Sequence, residues 1–404
     1  MNIPFHVPYI DDSDLEAAVS AIKSGWTTMG PKTIEFEESF AQYTGMPFSV
    51  AVSSCTAALH LALKVCNIGP GDEVIVPVNT FVATAEVVCY CGATPVFADI
   101  DRDSHCISVD SLYRLLSPKT RAIIPVHFAG TPCEMDVIDD IARQHNLYVI
   151  EDAAHALPSW YKNRLAGTIG HVGCYSFYAT KTLATGEGGM LVTHNEEWAR
   201  RAGRLRLHGM NRDAWRRYDR GGSWQYDIEE MGYKYNMTDI AAAMGLSQLK
   251  KVEMLQKKRE AIAQRYNDAF SENDALIPYV VNKGISSWHL YPLKINLEAL
   301  TISRDEFIVK LEECGIKTSV HFIPLYRFSY FVKRYGNQES MFPDSEWVFA
   351  REISLPIFPS MTDEQIAKRS KIRNVTELAR FVLDTFCKST DQMEVKGYDE
   401  AQIF

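Results

Sequence analysis

The sequence predicts an α/β fold, a large and mostly parallel sheet covered by helices, followed by a smaller α+β unit. Two observations carry this. Between about residues 50 and 195, short apolar runs of strand length alternate with helical patterns, as in successive βαβ units whose strands are buried on both faces. Beyond them a long amphipathic pattern leads into a second stretch holding fewer strands and helices.

The elements follow in order. Val50-Ala51-Val52 ends in small hydroxyl residues that open a helical pattern over 55–66. After the turn Gly69-Pro70-Gly71-Asp72, residues 73–76 form a strand, and 94–97 form another after Gly92. The runs 122–126 and 147–150 are further strands, with helices expected near 80–91, 108–116 and 134–145. A long helix is expected from Thr238, its N-cap, through Leu249, Val252, Leu255, Ile262 and Tyr266, with Lys250, Lys251, Lys257 and Lys258 on its polar side. Residues 288–295 then read as a strand, 304–314 as a helix and 318–322 as a strand. The expected division is a large α/β domain over 1–250, a small α+β domain over 251–390 and a loose tail over 391–404.

Composition narrows the function. A chain of 404 residues buries enough surface to fold without disulfide or metal staples. Its 42 Lys and Arg against 51 Asp and Glu leave a net charge of −9, which disfavours nucleic acid as a partner. The nine cysteines include no C-x-x-C pair, so neither a disulfide framework nor a metal site is expected. Reduced thiols and the lack of a signal-like start point to a cytoplasmic protein. The apolar stretch 74–98 is interrupted by Pro77, Asn79, Glu86, Gly92 and Pro95, so no membrane span is expected.

Ligands of open α/β sheets gather at the carboxyl ends of the strands, and three motifs fall there. Ser53-Ser54-Cys55-Thr56-Ala57 opens a helix, and is either a plain N-cap or a phosphate cradle of N–H groups. Glu151-Asp152-Ala153-Ala154-His155 ends an apolar strand with two acids; Asp152 either caps the next turn or faces a ligand. Ser176-Phe177-Tyr178-Ala179-Thr180-Lys181 carries a lysine off a strand into a loop of small residues. Lys181 is either a solvated charge or an amine in a dry pocket, suited to Schiff-base chemistry. Neither G-x-G-x-x-G, G-x-x-x-x-G-K-[ST] nor G-x-S-x-G occurs, which argues against dinucleotide, P-loop and nucleophile-elbow chemistry.

Taken together, a helix-start phosphate site, a strand-end aspartate and a strand-end lysine are the parts a pyridoxal phosphate enzyme requires. Their order and spelling resemble the DegT/DnrJ/EryC1/StrS sugar aminotransferases, from about Pro8 to Gln365. Further matches are Ser24-Gly25-Trp26, Pro77-Val78-Asn79-Thr80-Phe81, Pro95 to Asp101, Gly186-Glu187-Gly188-Gly189, Gly232 to Asp239 and His321-Phe322-Ile323-Pro324-Leu325. The resemblance implies a type I, aspartate aminotransferase-like fold and pyridoxal 5′-phosphate as cofactor.

It also implies roles. Lys181 matches the Schiff-base lysine and proton carrier, and Asp152 the carboxylate that keeps the pyridine nitrogen protonated. Cys55, Thr56, Ala57 and Ser176 match phosphate contacts, Phe81 the ring stacked on the pyridine, and His155 a neighbour of the ring. Asn236 resembles the residue that reaches the phosphate of a neighbouring subunit, which implies a homodimer with shared sites. Trp26, Thr27, Tyr178, His321 and Tyr326 fall at the expected substrate edge.

Cys55 departs from the Ser-Gly-Thr spelling of many members, while Lys181 separates the chain from members that carry His there and deoxygenate. The loop Thr182-Leu183-Ala184-Thr185-Gly186-Glu187-Gly188-Gly189 looks more like members acting at C4 than at C3. The implied substrates are a nucleotide-activated 4-keto-6-deoxyhexose and L-glutamate. A cyclitol ketone as acceptor, or a non-catalytic regulatory homologue, remains an alternative.

Overall fold

Asp11 opens the first helix, α1 (Asp12–Lys23), with a capping box: its carboxylate accepts from the helix while Asp14 returns to its own N–H. The next helix, α2 (Pro31–Thr44), has Gly30 at its N-cap and no cap of its own. The cap comes from far along the chain. Buried Asp239 accepts the N–H groups of Gly30 (2.7 Å), Lys32 (2.9 Å) and Thr33 (3.0 Å). The computed structural model describes residues 2–211, 226–271, 274–281 and 283–366, so the expected tail over 391–404 lies outside the described residues.

The main sheet is assembled from the alternation expected above. Its elements are β1 (Phe48–Val52), α3 (Cys55–Val65), β2 (Glu73–Pro77), α4 (Ala83–Tyr90), β3 (Thr94–Ala98), α5 (Val109–Leu115), β4 (Thr120–Ile123), α6 (Met135–His145) and β5 (Tyr148–Asp152). A two-stranded ribbon, β6 (Trp160–Tyr161) and β7 (Arg164–Leu165), precedes β8 (Val172–Ser176), β9 (Gly189–Thr193) and α7 (Glu196–Leu205). The strand order is β1-β9-β8-β5-β4-β2-β3, parallel except for β9, which runs against both β1 and β8.

This topology fixes where ligands can gather. β1, β8 and β5 end at one edge of the sheet, and the register sets Gly189 opposite both Val52 and Ser176. Because β9 is reversed, its first residue lies among the last residues of its neighbours. A Cβ at Gly189 would sit 2.5 Å from Ser54 C and 2.6 Å from the Cys55 nitrogen. Only glycine lets the start of α3 close onto the strand.

The long helix expected from Thr238 is two helices, α8 (Asp239–Leu249) and α9 (Val252–Phe270). Thr238 caps the first, accepting from the Ala241 N–H. The break follows from what each part buries. α8 packs on α1 and α2, whereas α9 turns Ile262, Ala263, Tyr266 and Phe270 into a different part of the core. At the junction Lys251 is anchored to Asp11 and Asp14, each at 2.7 Å.

The second sheet is antiparallel: β10 (Leu276–Ile277), β11 (Tyr291–Ile295) and β12 (Glu352–Leu355). Around it lie α10 (Arg304–Glu313), α12 (Pro343–Phe349) and the short α13 (Asp363–Ile366), whereas α11 (Ser329–Tyr335) packs its Phe331 against Phe97 of β3. The strand expected over 288–295 starts only at Tyr291, because Trp288 has a positive φ and the His289 N–H donates to Ala129 O. Residues 318–322 are not a strand. Ser319 forms an isolated bridge to Ser354, and side chains take the next donors: Glu352 accepts the His321 N–H and Asn79 the Phe322 N–H. One apolar cluster joins the two sheets, with Ile75, Ile123 and Val149 packed together with Leu293, Phe307 and Ile353.

Candidate active site

At the edge where β1, β5 and β8 end lies a cavity of about 480 Å³. Of the residues expected at the site, it brings together Cys55, Thr56, Phe81, Asp152, His155, Ser176, Tyr178, Lys181 and His321.

The helix start supplies donors. The first N–H groups of a helix have no acceptor within it. Ser54 Oγ takes that of Ala57 at 3.1 Å, which leaves those of Cys55 and Thr56 at the cavity wall, beside the Ser176 hydroxyl. Ala57 itself is buried behind the cap and does not line the cavity. The positive end of α3 and these donors suit a phosphate group.

The acids of β5 point apart, as successive strand residues must. Asp152 faces the cavity, its Oδ2 accepting from Thr84 Oγ1 (2.9 Å) and its Oδ1 from the Ala154 N–H (3.1 Å). Burial raises its pKa, against the opposing pull of those two donors and of Lys181 and His127. Glu151 turns away and is fully enclosed by donors: His127 Nε2 and the N–H groups of Gly167, Ile169 and Gly170. It braces the segment behind the strand.

Lys181 hangs from a tight loop in which its own N–H donates to Tyr178 O and the Thr185 N–H to Phe177 O. Burial pushes its amine down to about 8; Cys55 and Asp152 pull it back up and Arg259 lowers it further. Nζ lies 3.3 Å from His289 Nε2. His289, which its place inside an apolar run conceals in the sequence, is buried, and its ring lies 4.4 Å from that of His155 at a tilt of 45°. His155 Nδ1 accepts from the Ala129 N–H at 3.2 Å, so in the neutral ring the proton sits on Nε2. Burial holds both histidines well below their usual range, with the Lys181 charge adding to it.

Phe81 lines the cavity and is 60% exposed, its ring 6.2 Å from that of Phe322. A cradle of helix N–H groups and a hydroxyl, a buried carboxylate and an amine of lowered pKa, all facing one cavity, fit pyridoxal phosphate. Cys55 does not obstruct this set, since its thiol turns back toward Cys174 O at 3.5 Å.

Besides Ala57, four expected residues lie outside the cavity lining. Tyr326 is 2% exposed, stacks on Phe342 and donates to Glu346 Oε1 at 2.5 Å; it is a core residue, not a substrate edge. Trp26 and Thr27 do not line this cavity, because Asp239 ties the start of α2 down beside α8 and Trp26 packs over Gly30. Asn236 bridges to Val52 and bonds Met237 O, close in register to the phosphate cradle but outside the cavity of its own chain. Tyr326→Phe is therefore expected to cost about 1 kcal/mol, the worth of one hydrogen bond, and a few degrees of Tm by calorimetry. Cofactor uptake should be unchanged, whereas a substrate role for the hydroxyl would show as a raised KM.

The DegT/DnrJ/EryC1/StrS aminotransferase family model matches residues 8–370. The chain belongs to this family. Among relatives in the family, MJ1066 of Methanocaldococcus jannaschii is 51% identical over 364 residues, covering 90% of this chain and 94% of its own. The spore coat polysaccharide biosynthesis protein SpsC of Bacillus subtilis is 47% identical over 366 residues, with the same coverage. Among solved structures, Spr1654 of Streptococcus pneumoniae, described as a sugar aminotransferase and captured in its PMP form, superposes with a TM-score of 0.88. It is 34% identical, over 95% of this chain and 100% of the other. Its PLP form gives 0.86. Membership in this family accounts for the type I sheet, with its one reversed strand, and for the cavity at the strand ends. Among the described residues, no helix is long and apolar enough to cross a membrane.

Proposed function

We propose that the protein is a pyridoxal phosphate-dependent aminotransferase that moves an amino group from L-glutamate to the ketone of a nucleotide-activated sugar. The observation that carries this reading is the meeting of Lys181, Asp152 and the open end of α3 in one cavity. When bound, the cofactor supplies an electron sink that lets a proton leave the carbon bearing nitrogen. The chain's own residues do the rest. The α3 N–H groups and Ser176 hold the phosphate, and Asp152, oriented by Thr84, holds a proton on the facing ring nitrogen. Lys181 Nζ, in part unprotonated near neutral pH, carries protons to and from the reacting carbon. His289, in hydrogen-bond reach of Nζ, limits where that amine can turn.

The spelling of the 182–189 loop favours a 4-keto-6-deoxyhexose as acceptor. The likeness to SpsC favours a role in polysaccharide or glycoside biosynthesis. Asn236, near the phosphate cradle yet outside the lining of its own cavity, suits a homodimer with shared sites; we place that dimer in the cytoplasm.

The test is spectroscopic. Protein loaded with pyridoxal phosphate should show a visible absorption band that L-glutamate converts to a shorter-wavelength form. Nucleotide-linked 4-keto-6-deoxyhexoses should restore it, with 3-keto sugars and cyclitol ketones slower. A band indifferent to L-glutamate rules out that donor. Restoration by a cyclitol ketone alone rules out the sugar.

A further inference from the structure

Behind the cavity wall a chain of hydrogen bonds runs from His321 to a buried carboxyl. Glu352 and Ser354 are two apart on β12, so their side chains share one face. The segment carrying His321 is drawn alongside by the Ser319–Ser354 bridge. Ser354 Oγ lies 2.5 Å from Glu352 Oε1 and 2.8 Å from His321 Nδ1, and the His321 N–H donates to Glu352 Oε2 at 2.9 Å. Both strand residues are buried, while the His321 ring, stacked against Phe5, lines the cavity.

We infer that Glu352, acting through Ser354, sets which ring nitrogen of His321 carries the proton, and so whether the cavity wall offers a hydrogen-bond acceptor or a donor. Counting protons leads there. A serine hydroxyl has one proton, and an ionised carboxylate only accepts. With Glu352 ionised, Ser354 donates to Oε1 and accepts from His321 Nδ1–H, so Nε2 faces the cavity as a lone pair. With Glu352 protonated on Oε1, the acid donates to Ser354, Ser354 donates to Nδ1, and Nε2 carries the hydrogen. The ring stays neutral throughout, since burial, reinforced by the Lys181 charge, holds His321 down at about 3.

The charged groups around Glu352 make their hydrogen bonds and ion pairs to atoms other than its carboxylate. Arg304 of α10 donates Nη1 to the Glu352 backbone oxygen and pairs its Nε with Asp305. Lys294, the cross-strand partner on β11, donates to Arg102 O and lies 3.8 Å from Asp103, and Arg351 pairs with Glu298. Burial pushes the Glu352 carboxyl up to about 8, opposed by Ser354, the His321 N–H and Arg304. The two proton arrangements therefore exchange close to neutral pH. Glu352 and Ser354 are positioning residues. Their use to the enzyme rests on the function proposed above: the same wall meets in turn an amino acid carboxylate, which needs a donor, and hydroxyls flanking a ketone, which can be held by an acceptor.

The test follows the ring proton directly in the full-length protein, by long-range 1H–15N spectra with 15N-labelled histidine. His321 is identified by the signal lost in His321→Gln. From about pH 6 to about pH 10 the wild-type ring should change from Nε2–H to Nδ1–H, with a midpoint near 8. In Glu352→Gln the His321 N–H keeps the amide oxygen on its side and turns the NH2 toward Ser354, so the ring should stay Nε2–H throughout. In Ser354→Ala, which deletes one atom from a buried strand, the ring should no longer respond to pH. A wild-type ring that keeps one tautomer, or a Ser354→Ala ring that titrates as the wild type does, overturns the inference. With pyridoxal phosphate bound, the KM for L-glutamate should inflect near pH 8 in the wild type and not in Glu352→Gln; equal profiles overturn the role in recognition. A protein whose ring switches but which takes no amino group from L-glutamate retains the relay and loses the donor proposed above.

Discussion

Lys181→Ala should reduce amine transfer by about 10⁴-fold or more, since it removes the nucleophile and the proton carrier together. Among the residues that line the cavity no second amine is present to stand in for it. Folding should survive, because the substitution withdraws a buried amine rather than stranding a charge. The loop is held by backbone bonds that do not involve the side chain, from Lys181 N–H to Tyr178 O and from Thr185 N–H to Phe177 O. Pyridoxal phosphate should still occupy the cradle, without the band of the loaded wild type. L-glutamate should then produce no spectral change on the wild-type timescale. A variant that retains a tenth of the wild-type rate would falsify the assignment.

The same residue predicts a pH dependence. Its pKa is lowered from 10.5 to about 8, chiefly by burial. The neutral, nucleophilic amine therefore gains as pH rises through 8, some two units sooner than on an exposed lysine. The rate at which cofactor-free protein captures pyridoxal phosphate, followed by absorbance, should climb to a plateau with its midpoint near 8. A midpoint near 10 would mean that the amine is solvated in solution and the cavity more open than described.

What the sequence could reveal of this site divides along a physical line. Where one stretch of chain carries its own instructions, the elements are legible in it: apolar runs mark β2 to β5, and Thr238 and Ser54 cap the helices they precede. Asp152 ends β5 and Lys181 sits in the loop that leaves β8, both strands apolar in composition, and the reach of both into one cavity follows from the sheet order. Contacts that join distant parts of the chain left no such trace. The periodicity from Leu249 to Tyr266 runs through a break forced by packing against α1, and the match that ends at Asp239 carries no sign that its carboxylate caps α2. Tyr326 matched a motif near the site, but its hydroxyl is taken by Glu346 twenty positions on. His289, next to Lys181, could have been found only by pairing a buried histidine with the strand-end lysine. Neither its spacing nor its neighbours Trp288 and Leu290 mark it.

Asp152→Asn is expected to lower amine transfer by about 10³-fold, roughly 4 kcal/mol of transition-state stabilisation, while leaving the fold intact. The survival of the fold can be argued atom by atom. The asparagine oxygen can keep the Ala154 N–H, which places the NH2 toward Thr84 Oγ1, where the carboxylate had been the acceptor. Thr84 can then accept from the amide and donate to Thr80 Oγ1, 2.8 Å away, because either hydroxyl of that pair can be the donor. All four groups remain paired, so the Tm should shift by only a few degrees. What is lost is charge. An amide cannot keep a proton on the facing ring nitrogen, and without that proton the electron sink is weakened at the step where Lys181 removes hydrogen. The wild type should show the matching pH effect. Burial raises the Asp152 pKa, so the carboxylate is ionised only above that raised value, and kcat should fall as pH drops through it. That acidic limb should be absent from the residual activity of Asp152→Asn. If the variant keeps the limb, the titrating group is another residue and the role given to Asp152 is wrong.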